Sequence, residues 1–236
     1  MKPPKSLPHV IALVGSDGSG KSTLAADLVA ALAQERPTLF LYLGQSSGNI
    51  ARAIVRIPLI GPVIEQALKR RSAKAHDEAK KTSAPTRLEA LVFHLLSRWR
   101  FHKFRQMIVL DRAGTVIVTD RYPQAEVPGF YFDGPGLAPT PETKGFVRWI
   151  ARREVRLYQR MAASVPALII RLNVSAATAH ARKPDHRLSM LEDKVRVIPA
   201  LTFNGARIVD LDANRDYPAM LKAAIAAARE ALSPAS

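Results

Sequence analysis

The sequence predicts a three-layer α/β fold in which helices flank a five-stranded, mostly parallel sheet. Short apolar runs alternate with longer segments of helical periodicity, which is the order expected of parallel strands joined by crossover helices. A glycine-rich loop joins the first apolar run directly to the first helix. The chain has 236 residues, 47% of them hydrophobic, and this is enough to bury a full core. We find no repeat and no clear internal linker, and we expect a single domain over residues 1–236.

Five apolar runs, each ended by glycine or by a polar residue, predict the strands. The strands are expected at residues 8–14, 38–43, 115–119, 167–172 and 206–211. Helical periodicity predicts the segments between them, and Ser175 is placed to cap one helix. The helices are expected at residues 22–34, about 50–71, 87–110, 142–162, 175–182 and 217–232, with one more helical stretch after Arg187. Residues 123–141 are rich in proline and glycine and are expected to form a long loop.

Apolar residues at helical spacing also predict which face of a helix packs against the sheet. The periodicity over 87–110 predicts a buried stripe made of Leu88, Leu91, Val92, Leu95 and Trp99. The periodicity over 142–162 predicts that the inward residues are Val147, Ile150, Tyr158 and Met161.

The composition excludes several kinds of site. The chain has no cysteine, which rules out disulfides, cysteine-based zinc sites and thiol catalysis. No apolar run approaches the roughly 18 residues that a membrane-spanning helix needs. The N-terminal residues are interrupted by prolines and lack the apolar core of a signal peptide. We therefore expect a cytoplasmic protein.

The strongest global feature is a net charge of 35 − 20 = +15. A basic surface can meet nucleic acid, lie on anionic lipid or gather small anionic substrates, and charge alone does not choose among them. We find no RRM, KH or zinc-finger signature and do not expect nucleic acid as a partner. The expected partner is a small-molecule phosphate acceptor; a peripheral membrane contact through the basic surface and a homodimer stay open. Residues 69–81 are highly charged, which is typical of a solvated connector, although a contact with phosphate, lipid or nucleic acid is the alternative.

Residues 15–22, GSDGSGKS, match the phosphate-loop pattern G-x-x-x-x-G-K-[ST] after a strand and before a helix. The glycines let backbone N–H groups turn toward a phosphate, and the helix start adds the positive end of its dipole. Lys21 supplies a cation for the β- and γ-phosphates, Ser22 a hydroxyl for Mg²⁺, and Thr23 supports it. The expected ligands are ATP and Mg²⁺. The predicted nucleotide-binding residues are Gly15, Gly18, Ser19, Gly20, Lys21, Ser22 and Thr23.

A second motif lies at 116–122, where a buried strand delivers Asp120, Arg121 and Tyr122 at its carboxyl end, the edge at which ligands bind in such folds. Together with the phosphate loop, this motif resembles the thymidylate kinase family of P-loop nucleoside monophosphate kinases. The resemblance covers most of the chain in layout and is tight in sequence at these two motifs. It implies a P-loop kinase fold and transfer of the γ-phosphate of Mg-ATP.

The resemblance also implies roles for individual residues. Asp17 matches the position facing the acceptor hydroxyl, Asp120 the carboxylate near Mg²⁺, and Arg121 the arginine on phosphate. Arg98, on the helix over 87–110, is similar to the arginine that grips the acceptor monophosphate, and a basic lid is expected at about 182–190. Because Gly18 stands where some members carry an arginine, a lid arginine becomes the expected transition-state cation. The implied catalytic residues are Lys21, Asp17, Asp120, Arg121, Arg182 and Arg187. The implied acceptor-binding residues are Asp17, Arg98, Gln45, Arg121 and Tyr122, the implied metal ligands are Ser22 and Asp120, and 212–214 is similar to the adenine-side loop.

The sequence departs from the family pattern on the acceptor side. The turn at 42–48 differs, and the Asp-Arg-Tyr motif runs into the long loop that contains Tyr131, Phe132 and Asp133. Region 45–112 is expected to be helix-rich and to cover the acceptor. We therefore keep three hypotheses. In the first hypothesis the protein is a kinase whose acceptor is a nucleoside monophosphate or a nucleoside. In the second it is a kinase whose acceptor is a hydroxyl of a sugar, a polysaccharide end or a lipid head group. The third is a non-catalytic nucleotide-binding module, which has no need for Asp17, Asp120 and a basic lid in combination.

Overall fold

The computed structural model describes residues 5–44, 85–137 and 143–233. Their strands form one sheet in the order β2-β3-β1-β4-β5, and every neighbouring pair is parallel. The predicted α/β fold with a five-stranded sheet is confirmed, and the sheet is parallel throughout. The strands are β1 (Lys5–Gly15), β2 (Thr38–Tyr42), β3 (Val116–Asp120), β4 (Ser164–Asn173) and β5 (Ile208–Asp212).

Helices connect the strands and cover both faces of the sheet. They are α1 (Lys21–Ala33), α2 (Arg87–Arg112), α3 (Gly145–Ala162), α4 (Ala176–Arg182), α5 (Leu188–Val197) and α6 (Tyr217–Leu232). Two single 3₁₀ turns lie at Phe130–Phe132 and Ile198–Ala200. Within the described ranges, no helix is both long enough and apolar enough to cross a membrane.

The central strand β1 is buried on both faces, because consecutive residues from Val10 to Val14 have almost no exposed surface. Ile11 and Leu13 pack against α1 and α6, in a cluster that includes Leu28. Val10, Ala12 and Val14 point to the opposite face, where α2 and α3 cover them. Such continuous burial is expected of a parallel strand between two helical layers. The chain leaves β1 at its carboxyl end, between β3 and β4, which is the switch point where ligands bind in doubly wound sheets.

The predicted buried stripe on α2 is wrong except for Val92. Leu88, Leu91, Leu95 and Trp99 are 39–55% exposed. The buried face is offset by one or two residues from the predicted stripe, and it includes Phe93, Ser97, Arg100, Phe104 and Met107. The reason lies in the second half of the helix, where two of these residues dock on the sheet and so set the rotation of the whole helix. The inward residues predicted for α3 are all buried.

Some predicted segments lie outside the described residues. They are the helix at about 50–71, the charged stretch at 69–81, Gln45, and the part of the acceptor-covering region that precedes residue 85. The loop predicted over 123–141 is described as far as residue 137, and α3 begins at Gly145 rather than at 142.

Candidate functional site

The phosphate loop joins β1 to α1 in a conformation that glycine favours. Gly18 and Gly20 have φ of 80° and 88°, in the left-handed region. A Cβ at position 18 would lie 2.5 Å from the carbonyl oxygen of Ala179 in α4. The close packing of α4 on the loop therefore explains why this loop has no side chain at position 18.

Lys21 is buried at the start of α1 and lies folded back over the loop. Its Nζ donates to the carbonyl oxygens of Gly15 at 3.0 Å and of Ser16 at 2.7 Å. Burial lowers the pKa of Lys21 to about 8, and Arg121 acts in the same direction. Within the described part of the chain, the buried hydroxyls of Ser16 and Ser19 have no hydrogen-bond partner. The loop therefore holds a buried cation and two buried hydroxyls that have no partner among the described residues.

Asp120, at the end of β3, lies beside the first turn of α1. Ser22 Oγ donates to its Oδ2 at 3.4 Å, and its buried Oδ1 has no partner among the described residues. Burial raises the pKa of Asp120, and Lys21 and Arg121 oppose that shift. A hydroxyl next to one carboxylate fits Mg²⁺, an ion that proteins commonly hold with one or two carboxylates together with the phosphates of the substrate. No group of three or more carboxylates or histidines in the described ranges forms an all-protein metal site.

Five charged side chains continue from the loop across the carboxyl edge of the sheet, and we call them the ion chain: Lys194, Asp17, Arg121, Asp133 and Arg100. Asp17 accepts from Lys194 Nζ and, at 2.8 Å, from Arg121 Nη2. Arg121 Nη1 lies 3.5 Å from Asp133 Oδ2, and Arg100 Nη2 donates to Asp133 Oδ1 at 3.0 Å. All five side chains are at most 20% exposed.

The ion chain keeps Asp17 ionised. Burial alone would raise the pKa of Asp17, but Lys194, Arg121 and Lys21 overcome that effect and hold it well below its usual range. Burial likewise lowers the pKa of Lys194, and Asp17 opposes that shift. Counting Lys21 and Asp120 with the ion chain, four cations face three carboxylates, which leaves a net charge of 4 − 3 = +1. The site therefore has positive charge to spare for a phosphate group.

Arg121 holds a strained backbone. Its φ is 70°, which is uncommon for a residue other than glycine and costs on the order of 1–2 kcal/mol. Its N–H donates to the carbonyl oxygen of Leu13 in β1 at 3.0 Å, which holds the turn in place. Strain of this kind concentrates at functional sites. Here it turns the guanidinium of Arg121 toward Asp17 on the phosphate loop.

The loop after β3 supplies Asp133 and is held by one buried amide. The side chain of Gln124 accepts from the N–H groups of Glu126 at 2.6 Å and Val127 at 2.8 Å. Its amide group donates to the carbonyl oxygens of Val127 and Phe132. These four bonds fold the loop back on itself and position Asp133 between Arg100 and Arg121.

The two arginines predicted for the lid occupy different places. Arg182, at the end of α4, donates to Gly18 O at 3.3 Å and to Ala213 O at 3.0 Å. It therefore joins the phosphate loop to the predicted adenine-side loop rather than reaching the ion chain. Arg187 precedes α5, is exposed, and makes no side-chain bond with the residues that the structure describes.

Two predicted acceptor residues are not brought to the site. Tyr122 is buried between Phe104 and Phe203, and its hydroxyl donates to Ser164 O at 2.9 Å, so its environment is the core. Arg98 is exposed, and it lies on the other side of α2 from Arg100, because residues two apart do not share a helix face. Thr23 is also exposed, and Gln45 lies outside the described residues.

Three members of the ion chain were not assigned from the sequence: Lys194, Arg100 and Asp133. A signal existed for Lys194. Lys194 falls three residues after Leu191 and four before Ile198, both of which are buried, so it occupies the apolar stripe of α5. Arg100 gave no such signal, because the sequence predicted a different buried face for α2. A charged residue on an apolar stripe needs a buried counter-ion and is therefore a candidate for a site.

The comparison with known proteins concerns the whole chain. It is 49% identical over 225 residues to a protein of Escherichia coli strain K12 named "Uncharacterized ATP-binding protein YghS", and the alignment covers 95% of this chain and 94% of YghS. It is 41% identical over 221 residues to "Uncharacterized ATP-binding protein YghR" of the same strain, with 94% and 87% covered. The chain belongs to the YghS/YghR family. Membership rests on nearly the full length of each protein and not on the phosphate loop alone.

The names of YghS and YghR state ATP binding but no reaction. YghR of Escherichia coli O6:H1 strain CFT073 has the same 41% identity to this chain. No protein-family model matches the chain. The similarity to thymidylate kinases therefore stays a prediction.

Proposed function

We propose that this protein binds Mg-ATP at the phosphate loop and transfers the γ-phosphate to a small acceptor. The names of YghS and YghR describe ATP-binding proteins, which supports the first half of the proposal. Gly15 to Lys21 would hold the triphosphate, and Ser22 with Asp120 would hold Mg²⁺. Bound Mg²⁺ would neutralise the phosphate oxygens as charge moves during transfer.

The observation that carries phosphotransfer is the meeting of three cations at Asp17. Lys21, Arg121 and Lys194 all act on this carboxylate, which itself belongs to the phosphate loop. Phosphoryl transfer depends on positioning and charge neutralisation more than on covalent catalysis, and several cations at one edge of the phosphate site provide both. Simple nucleotide binding needs no second and third cation there.

Lys194 takes the place that the sequence assigned to a lid arginine. Its buried ammonium already lies on the phosphate loop through Asp17, whereas Arg182 bonds to the loop predicted for the adenine side and Arg187 is exposed. We therefore infer that Lys194 and Arg121 neutralise the transferring group.

The first candidate acceptor is a nucleoside monophosphate or a nucleoside. Arg121 and Arg100 support a phosphate-bearing acceptor, because both guanidinium groups lie at the edge of the sheet and share Asp133 as counter-ion. The acceptor oxygen would form a bond to the γ-phosphorus while the bond to the β,γ-bridging oxygen breaks and ADP leaves. A phosphate oxygen brings no proton to this step, and a hydroxyl acceptor would lose its proton to water. Hydroxyls of sugars, polysaccharide ends and lipid head groups are the alternative acceptors.

An acceptor panel tests the proposal. The purified protein is mixed with Mg-ATP and, separately, with nucleosides, nucleoside monophosphates, sugars and lipid head-group analogues, and both ADP release and product mass are followed. We expect one class to gain one phosphate, with no product from Lys21→Ala or Asp120→Ala. Tight ATP binding without turnover on any acceptor would support a nucleotide-binding module instead, and near-normal activity in either variant would overturn the site.

A further inference from the structure

A basic groove separates α2 from α3 on the side away from the ion chain. It encloses about 250 Å³. We call it the arginine groove, and its lining residues are His94, Arg98, Arg153, Arg156, Leu157 and Arg160. The two helices meet along a different line, at which Ser97 Oγ donates to Glu154 Oε1 at 2.6 Å and Arg100 contacts Tyr158. The groove therefore does not belong to the phosphate site.

The four guanidinium groups of the arginine groove have no counter-ion in the described part of the chain. Among the residues that the structure describes, no carboxylate lies within 4.0 Å of any of them. Arg153 lies over the ring of Trp149, 4.2 Å from its centroid, a contact that keeps its charge. Glu154 on the same helix is fully buried and turned toward Ser97 and the N–H of Leu137. Four cations that repel one another in one groove are typical of a site for an anion.

His94 gives an independent indication. It is 8% exposed, lines the arginine groove, and its buried Nδ1 has no hydrogen-bond partner in the described part of the chain. Burial lowers the pKa of His94, and Arg98 and Arg153 lower it further. A buried polar atom without a partner needs an explanation, and an absent ligand is one. An anion in the groove would reverse the repulsion and give the ring an acceptor.

We propose that the arginine groove binds a phosphate-bearing anion, independently of the nucleotide at the phosphate loop. Guanidinium groups match the paired oxygens of a phosphate, and four of them suit a group with more than one negative charge. The same chemistry belongs to a free phosphate compound and to a phospholipid head group. Phe146 and Trp149, 43% and 50% exposed, lie on α3 beside the arginines, and aromatic residues next to arginine are common at a lipid surface.

Two double variants on α3 test the proposal. Arg156→Ala with Arg160→Ala removes two charges from the groove, and Arg148→Ala with Arg152→Ala removes two exposed charges that do not line it. Alanine favours the helix in both, and thermal unfolding checks that both variants fold. Inorganic pyrophosphate is the probe, and the signals of His94, which lines the groove, distinguish binding there from binding at the phosphate loop. Binding is measured by calorimetry and by the imidazole NMR signals of His94, assigned with His94→Gln.

We expect pyrophosphate to shift the His94 signals of the wild type and of the Arg148/Arg152 variant. We expect the Arg156/Arg160 variant to bind at least about tenfold more weakly, which is the loss of roughly one charge-assisted hydrogen bond. The lipid arm uses vesicles of phosphatidylglycerol against vesicles of phosphatidylcholine. Binding to the anionic vesicles that is lost only in the groove variant identifies a lipid head group, and pyrophosphate binding alone identifies a free compound. If the two variants behave alike with both probes, or neither probe binds the wild type, the proposal is overturned.

Discussion

At the scale of single residues, Lys21 shows how the phosphate loop is prepared for an anion. Its ammonium donates to Gly15 O and Ser16 O, and burial lowers its pKa to about 8. Phosphate oxygens near the ammonium would favour its charged form and raise that pKa. Nucleotide binding is therefore linked to proton uptake by Lys21 at those pH values at which Lys21 of the free protein is deprotonated.

The affinity for ATP should consequently depend on pH above the pKa of Lys21, about 8. Below that value Lys21 is charged with and without nucleotide, and its contribution to the affinity for ATP is constant. Above it, affinity should fall by up to about tenfold per pH unit, because the proton has to be taken up first. Calorimetry in buffers of different ionisation heat measures that uptake. Lys21→Arg keeps its charge and should show none; wild-type binding at alkaline pH without proton uptake contradicts the prediction.

Lys194 is the second residue with a predicted effect. Lys194→Met keeps a long, unbranched side chain but removes the cation, while Asp17 keeps Arg121 as its partner. We expect phosphotransfer to fall by about 100-fold, the size of effect seen when one stabilising donor is removed from a transition state. Arg196→Met is the control, because it lies on the same helix and its side chain is 77% exposed. Turnover is measured with the acceptor found in the panel. Equal rates in the two variants would exclude a role of Lys194 in phosphotransfer.

At the scale of elements, the contact between α4 and the phosphate loop determines how closely the two pack. Gly18 lies against the backbone of Ala179, and Arg182 at the end of the same helix bonds to Gly18 O and Ala213 O. α4 therefore ties the phosphate loop to the loop that follows β5. Its position depends on a glycine that lies far from it in the sequence.

A matched pair of glycine variants isolates this contact. Gly18 and Gly114 have almost the same backbone, with φ of 80° and 78°, but a Cβ at 114 would meet nothing within 4 Å. Both alanine variants should lose about 1–2 kcal/mol of unfolding free energy from left-handed strain. Gly18→Ala should lose a further 1–3 kcal/mol, roughly the cost of overpacking, together with nucleotide affinity. Urea unfolding compares the two variants. Equal losses of unfolding free energy would mean that α4 shifts to accommodate the Cβ at position 18 without loss of stability.

At the scale of the whole molecule, the described residues form three layers with the phosphate loop at the carboxyl edge of the central strand. A ligand there contacts elements from both halves of the chain and should stabilise the folded state as a whole. At about 100 times its dissociation constant, Mg-ATP should add about 2.7 kcal/mol to the free energy of unfolding. We expect a clear rise in melting temperature for the wild type and almost none for Lys21→Ala. A similar rise in both proteins would place the nucleotide elsewhere.

The sequence predicted the features that are local. The phosphate loop, its glycines, Lys21 and Ser22 lie within one short segment, and their spacing alone specifies their chemistry. Strands followed from continuous apolar runs and helices from periodicity, because burial on both faces of a strand and on one face of a helix each leaves a direct pattern in the chain. The rotation of α2 did not follow, since two apolar stripes compete on that helix and only docking on the sheet selects between them.

Tertiary structure decided which charges meet. Lys194 and Asp17 are 177 residues apart and become partners because α5 packs onto the phosphate loop. Arg100, rather than Arg98, reaches Asp133 because the rotation of α2 turns it inward, and Asp133 is held in place by the loop that Gln124 organises. The sequence by itself thus determined an α/β chain with a phosphate loop. The ion chain beside that loop was decided only by packing, because electrostatic partners are chosen by distance in space and leave no periodic signal in the sequence.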